Sequence, residues 1–349
     1  MLISGKQRII AIISTSRSDF GHLLPIAKAI QADPGLELRF VQPMTGSLDE
    51  ALARNQIADT DGLKPLLRLE FTTPPDLILF LGDRGDLLEE VVQFVSSGVP
   101  FAHVHAGEET EGSTDNRVRH ALSQLSHLYF VAHEDYRRRI LQMGVDDWRI
   151  HVVGAPALDL IAPRPCAGKH VMLAWQPVTL EQALQAYYVA ELQAALEDIS
   201  LPLVIMSPNS DPGSRYIDQA WRKWSAGKDN ATYCSVVPPE TFWDFMADAA
   251  VLVGNSSAGL IEAASFSLPV VNVGSRQDGR IRGPNVIDVG YSRDEIKAGI
   301  QKALTVDFTA FIKGMANPLW QGGAAQKIVS VLRNVEISDK LLRKKFVNM

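Results

Sequence analysis

An apolar run at 251–253 stops at Gly254-Asn255-Ser256-Ser257, and small apolar residues follow at helical spacing through Phe266. A strand that ends in small hydroxylated residues and feeds a helix leaves backbone N–H groups uncovered at the positive end of the helix dipole. That arrangement attracts phosphate. Glu262 falls about one and a half turns into the expected helix, where a carboxylate can meet a ribose diol beside a bound diphosphate. Downstream, Arg276-Gln277-Asp278-Gly279-Arg280 adds guanidinium groups. A serine N-cap with a solvated glutamate would account for the turn alone. The ordered pairing with the arginine block favours a nucleotide.

A second set of polar groups follows apolar runs in the N-terminal half. Ser14-Thr15-Ser16-Arg17-Ser18-Asp19, Gly82-Asp83-Arg84-Gly85-Asp86 and the segment from His103 to Asp115 each begin where a strand should stop. Strand carboxyl ends are where α/β proteins build their sites. Taken singly, each has a plain reading. Asp83-Arg84 makes a turn with a local ion pair, Asp115 caps a helix starting near Asn116, His105 sits in an alternating strand, and Arg17 is a surface cation. The acidic run from Glu108 to Glu111 and Asp86 read partly as solvated loop charge. Arg, Asp, His and Asp at successive strand ends of one domain outweigh these separate readings, because together they offer anion binding and acid/base chemistry.

These groups must be positioned by the surrounding elements. Short apolar runs alternate with amphipathic stretches, the pattern of βαβ units and a parallel sheet. Strands are expected at 8–13, 36–41, 77–81, 100–105, 128–132 and 151–153, with helices starting at 23 and covering 87–95, 118–125 and 134–143. A polar segment runs from 42 to 60. The Pro- and Gly-containing stretch 162–168 breaks both element types. The alternation then restarts with strands at 170–174, 203–206, 233–236, 251–253 and 270–273, and helices at 181–196 and 240–246 among those between them. The expected architecture is two Rossmann-like, doubly wound α/β domains, 1–165 and 166–334, with a ligand in the cleft between them. A polar, helix-prone tail at 335–349 is free to cross back onto the first domain.

At 349 residues, 46% hydrophobic and 21% charged, the chain has the size and composition of an ordinary two-domain protein. Its formal charge of −6 argues against sequence-independent nucleic-acid binding, which needs a basic face. Cys166 and Cys234 lack metal-type spacing, and no run approaches the roughly 18 apolar residues of a membrane span. A metal, a nicotinamide cofactor, a nucleic-acid partner and a membrane partner are therefore not expected, and the chain is expected in the cytoplasm.

At these residues the chain resembles the hydrolysing UDP-N-acetylglucosamine 2-epimerases of bacterial sialic acid synthesis, and the epimerase half of the animal bifunctional enzyme. The resemblance spans about 8–333 through ordered motifs: the Arg17 turn, Leu81-Gly82-Asp83-Arg84, His105-Ala106-Gly107-Glu108 with Asp115 and Arg119-His120, and Val153-Gly154-Ala155-Pro156 with Asp159. In the second half they are Gln176-Pro177-Val178-Thr179, Pro208-Asn209-Ser210-Asp211 with Gly213-Ser214, and the Asn255–Arg280 block. The resemblance implies a fold of the glycosyltransferase-B type, and a reaction that turns UDP-N-acetylglucosamine and water into N-acetylmannosamine and UDP. By position it assigns Ser256, Ser257 and Gly259 to the diphosphate, Glu262 to the ribose, and Arg17 and Arg280 to the diphosphate charge. Arg84, Gln176, Asn209 and Asn255 complete the nucleotide and substrate contacts. Asp83, His105, Glu108 and Asp115 are the candidate catalytic set, and a homo-oligomer, dimer or tetramer, is expected.

Two positions depart from the family pattern. His105 stands where several members carry Glu, which leaves the base open between His105 and Asp83. Gln176 stands where many carry His; an amide can hydrogen-bond a phosphate or hydroxyl but brings no positive charge. A sibling activity on UDP-2,4-diacetamido-2,4,6-trideoxyglucose, a glycosyltransferase of the same fold, and a sugar-nucleotide sensor without turnover are the rival readings.

Overall fold

The computed structural model describes residues 7–15, 17–41 and 73–347; at Arg17 and Ser18 it describes the backbone alone. The polar segment expected at 42–60 and the Ser16 position of the first turn lie outside the described residues. The chain divides into two compact units. The first comprises Met1–Glu108, Asp115–Leu160 and Leu319–Met349; the second comprises Glu109–Thr114 and Ile161–Pro318.

In the first unit, β1 (Arg8–Ile13), β2 (Leu36–Val41), β3 (Leu77–Leu81), β4 (Phe101–Val104), β5 (Leu128–Val131) and β6 (Ile150–Val152) form one sheet in the order β2-β1-β3-β4-β5-β6. Each neighbouring pair of its strands is parallel. Buried runs such as Leu77–Leu81 lack polar alternation because both sheet faces are covered. On one face, Ile10, Ile12 and Leu79 pack with Phe20, Leu24 and Ala27 of α1 (Arg17–Ala32). On the other, Ile13, Phe80 and Phe101 meet Leu87 and Val91 of α2 (Gly85–Val92) and Leu122 of α3 (Asp115–Leu125). A further helix, α4 (Glu134–Gln142), follows β5. The strand order reverses between β1 and β3, so the loops after these two strands diverge at a switch point. There the Thr15 hydroxyl donates to Asp86 Oδ1 at 3.0 Å, and the Arg84 guanidinium to the same carboxylate at 3.1 Å. Asp86 thereby ties the two loops together, where the sequence suggested solvated loop charge.

The second unit contains β7 (His170–Ala174), β8 (Leu203–Met206), β9 (Ala231–Cys234), β10 (Ala249–Gly254), β11 (Val270–Val273) and β12 (Val286–Val289), ordered β12-β11-β10-β7-β8-β9 and parallel. Read from the β9 edge, this is the 3-2-1-4-5-6 order of dinucleotide-binding sheets, with its switch point between β7 and β10. Val171, Leu173, Val251 and Val253 pack against Tyr188, Leu192 and Leu196 of α5 (Gln185–Leu196) and Ile296 and Ile300 of Arg293–Ala303.

The sequence placed the end of the second domain at 334, but its last amphipathic helix belongs to the first unit. Ala324, Ala325, Ile328 and Leu332 of Ala324–Asn334 join the core built on α1. Asp159 accepts from the N–H groups of Ala324 and Ala325 at 3.0 and 2.8 Å, capping that helix with a carboxylate at its positive end. The tail continues on the same unit. Arg149, 1% exposed, donates to the carbonyls of Leu341 and Lys340 at 2.8 and 2.7 Å, and Leu341 is buried in the first core.

Candidate functional site

In the first unit the acid/base candidates gather where β3 and β4 end. The strand expected through 105 stops at Val104. His105 has left the extended region, with φ 61°, although its N–H still reaches Phe130 O at 3.0 Å. The chain must turn at once because Gly107, at φ 74°, lies against the Tyr136 carbonyl, where a Cβ would come to 2.5 Å. The turn carries Glu108 back beneath the ring, and His105 Nδ1 lies 2.6 Å from Glu108 Oε1. Both side chains are buried, Glu108 at 1% exposure. A carboxylate only accepts, so this bond places a ring proton on Nδ1, and in the neutral imidazole Nε2 is the nitrogen that carries the lone pair. Among the described residues Nε2 has no hydrogen-bond partner. His22 of α1 meets the ring edge-on, with centroids 4.9 Å apart.

Asp83 follows Gly82 at the end of β3 and pairs with Arg119, whose side chain is 1% exposed. Arg119 also donates to Glu108 O at 3.2 Å and to Asn116 Oδ1 at 3.1 Å, so one guanidinium spans the Asp83 turn and the Glu108 turn. Asp115 opens α3 one turn before Arg119, at the first helical position and not as the residue ahead of it. The structure therefore brings Asp83, His105 and Glu108 into one connected group around Arg119, with Asp115 on the helix that supplies it. Arg119 was visible in the sequence only as part of a motif; its i, i+4 relation to Asp115 was the available signal. Arg84 points to Asp86 as described. The Arg17 side chain, expected at the diphosphate, lies outside the described residues.

In the second unit the candidates meet at the switch point. Gln176 N–H donates to Asn255 Oδ1 at 2.6 Å, and Asn255 Nδ2 donates back to Gln176 O at 2.9 Å. The Gln176 side chain accepts from Asn209 N–H at 2.6 Å, and Asn209 Nδ2 donates to Asp211 at 2.6 Å. Gln176 is thus a clamp joining the loops after β7, β8 and β10, where the sequence suggested a direct phosphate or hydroxyl contact. Gly254 at φ 137° permits the crossing, since a Cβ there would lie 2.2 Å from Ala174 O.

The segment after Asn255 differs in shape from the single helix expected. Only Ala258–Ile261 is α-helical, and Ala263–Phe266 tightens to a 3-10 turn before Ser267 reverses the chain into β11. Glu262 is the junction, 7% exposed, rather than a residue midway along a longer helix. Gly259 lets this turn lie close to β11, since a Cβ would come within 2.9 Å of Val270. Ser256 Oγ accepts from Ala258 N–H at 3.3 Å, while among the described residues no hydrogen bond takes the N–H groups of Ser256 and Ser257. Arg280 donates to Gln277 Oε1 at 3.2 Å, and Gln277 donates to Asn255 O at 2.8 Å, so the arginine block is bonded to the serine turn. Arg276, unassigned from the sequence, is 9% exposed and donates to Pro177 O and Asn255 O at 3.2 and 3.3 Å. Among the described residues no group of three or more His, Cys, Asp or Glu could hold a metal ion, and no helix is long and apolar enough to cross a membrane.

Comparison with known proteins gives this geometry a family. The model described as UDP-N-acetylglucosamine 2-epimerase matches residues 62–333. A Legionella pneumophila protein named UDP-N,N'-diacetylbacillosamine 2-epimerase (hydrolyzing) is 35% identical over 285 residues, 77% of this chain and 74% of that one. A Neisseria meningitidis UDP-N-acetylglucosamine 2-epimerase is 27% identical, with 98% of this chain and 99% of that one covered. Among solved structures, the UDP-GlcNAc 2-epimerase of Neisseria meningitidis bound to UDP-GlcNAc matches with a TM-score of 0.76 at 15% identity, over 93% of this chain and 99% of that one. That likeness shows the fold, two Rossmann-like units of the glycosyltransferase-B type. The chain belongs to the UDP-N-acetylglucosamine 2-epimerase family.

Proposed function

We propose that the protein is a hydrolysing 2-epimerase that converts UDP-N-acetylglucosamine and water into N-acetylmannosamine and UDP. The observation that carries the proposal is His105, a buried imidazole with Nδ1 fixed on Glu108 and Nε2 left as a lone pair. Such a group is built to take a proton. The C2 hydrogen of the sugar is not beside a carbonyl and is scarcely acidic. It becomes removable as the C1–O bond to UDP breaks and positive charge grows at C1. Stabilising the departing diphosphate therefore also assists proton removal.

In this reading the Ser256 and Ser257 N–H groups and Arg280 hold the diphosphate, with Arg17 and Arg84 as further cations, and Glu262 holds the ribose. Gly259 allows the turn, and Gln176, Asn209 and Asn255 keep its shape. His105 Nε2 removes the C2 proton as UDP leaves, giving a glycal. Asp115 returns a proton to C2 from the opposite face while water adds at C1. Asp83, anchored on Arg119, supplies fixed negative charge to oppose the charge at C1, and Glu108 stabilises the imidazolium as it forms. Two differently placed acid/base groups are the minimum for inverting C2.

A second substrate has a specific observation in its favour. The Legionella relative, at 35% identity, is named for UDP-N,N'-diacetylbacillosamine, and the proposed proton chemistry is indifferent to substituents at C4 and C6. Turnover in heavy water with each sugar nucleotide tests both readings. Free 2-epimerised sugar carrying one deuterium at C2 is expected, and the faster of the two substrates identifies the specificity. A product that keeps its C2 hydrogen would refute the elimination, and release of unepimerised sugar would refute the activity.

A further inference from the structure

His103 lies two residues before His105 on β4 and takes no part in the chemistry proposed above. It is fully buried, 0% exposed, on the sheet face that α3 covers. Its Nε2 lies 2.8 Å from the carbonyl of Gly82 and its Nδ1 3.1 Å from Ser123 Oγ. A carbonyl only accepts, so Nε2 carries the ring proton and Nδ1 accepts from the Ser123 hydroxyl. Burial, with the Arg119 guanidinium adding to it, holds the imidazole down to about 4, so the ring is neutral and this tautomer persists.

Gly82 is the residue immediately before Asp83, and it has φ 102°. Ser123 stands one helical turn beyond Arg119, the partner of Asp83. Two routes thus lead to the Asp83 turn from α3: one through the Arg119 side chain to the carboxylate, the other through Ser123 and His103 to the preceding carbonyl. The backbone ahead of this carboxylate is otherwise loosely held, since Gly82 N–H meets Val104 O only at 3.4 Å and glycine has no Cβ to limit rotation. A hydrogen bond to the glycine carbonyl removes that freedom.

We infer that His103 is a positioning residue for Asp83, a neutral imidazole linking β4 and α3 to the Gly82 carbonyl and so fixing where the Asp83 carboxylate stands. The inference rests on the proposed role of Asp83, and it adds a residue that touches no substrate. Apolar replacement of the ring fills the space but lets the turn swing. Misplacing a catalytic group by a fraction of an ångström to one ångström lowers rate while leaving nucleotide affinity alone.

The test compares His103→Leu, His103→Gln and Ser123→Ala in the full-length protein, measuring kcat, KM, UDP affinity and thermal midpoint. His103→Leu should lower kcat between about ten- and a hundredfold, with UDP affinity unchanged. His103→Gln, whose amide can donate to Gly82 O, should restore most of that loss. Ser123→Ala, a small change that keeps the fold should Leu be poorly tolerated, should lower kcat in the same sense but less. A His103→Leu kcat within threefold of the parent overturns the inference. So does equal loss in the Leu and Gln variants that tracks their thermal midpoints, since that marks packing alone. Wild-type turnover in heavy water keeps the two proposals apart. Deuterium at C2 in the parent with no kcat effect at His103 sinks only the positioning role, whereas no C2 exchange in the parent sinks the reaction itself.

Discussion

Replacing His105 by Asn and by Val separates its place in the backbone turn from the role of base proposed for it. Its φ of 61° puts a branched-free polar side chain in the left-handed region, where an L-residue is disfavoured by about 1–2 kcal/mol. Asn enters that region readily and β-branched Val does so at the greatest strain. Asn loses the 2.6 Å bond to Glu108 in its present form, at about 1 kcal/mol, but relieves part of the backbone strain. His105→Asn should therefore fold with a stability within about 1.5 kcal/mol of the parent. His105→Val should lose at least about 2 kcal/mol more, from strain and from burying Glu108 beside an apolar group. Activity should behave differently. Neither side chain exchanges a proton, so kcat should fall about 10²- to 10⁴-fold in both. That corresponds to about 2.7–5.4 kcal/mol in the barrier. The assay pairs initial rates of UDP release at saturating sugar nucleotide with urea unfolding of the same preparations. An Asn variant that keeps more than a tenth of the parental kcat refutes His105 as the base. Equal stabilities of the Asn and Val variants refute the backbone-strain argument.

Glu262→Gln should weaken UDP binding by about 1.5–3 kcal/mol, because a buried carboxylate accepting from ribose hydroxyls loses its charge-assisted bonds; calorimetric titration with unchanged affinity would exclude Glu262 from the ribose. Stability should also fall on acidification. Burial, reinforced by Lys344 and Arg149, pushes His127 down from 6.5 to about 4, so the folded state resists its protonation. Because the folded pKa is the lower one, the unfolded chain binds the proton first. The contribution is complete above 6.5 and is lost as pH falls through 4. His127→Asn preserves an acceptor for Phe101 N–H, which His127 Nδ1 takes at 3.0 Å, and removes the titration. The difference in urea midpoint between pH 7 and about 4.5 should be smaller in this variant than in the parent; parallel pH dependence would exclude His127 from the acid response.

The fold was legible wherever burial was complete on both faces. Strands at 8–13, 77–81, 170–174 and 203–206 fall where their apolar runs placed them, because no polar residue interrupts the interior of a strand sandwiched between helix layers. β12 was not legible: Val286-Ile287-Asp288-Val289 is only half-buried at the sheet edge and carries an aspartate. The return of Ala324–Asn334 to the first unit was also hidden. Its buried positions at 324, 325, 328, 329 and 332 announce an amphipathic helix, but periodicity specifies a buried face and never the sheet that covers it.

The same distinction governs the candidate site. Local chemistry was readable: a Gly-Asn-Ser-Ser turn after a buried strand and a histidine three residues before a glutamate are short-range facts. Long-range partners were not. Nothing in the sequence says that Gln176 would be held between Asn255 and Asn209, or that Arg119 would join Asp83 to the Glu108 turn. Where a local rule is broken, however, the sequence and the structure meet. A strand that should run through 105 ends at 104 because the next residue adopts φ 61°, and that residue is the buried imidazole with one nitrogen fixed and the other without a partner among the described residues. Folding alone gives no reason to place a histidine in the left-handed region when asparagine or glycine would relax the turn. The proposed reaction does, because an imidazole can both stand in that turn and take up a proton, which neither asparagine nor glycine can.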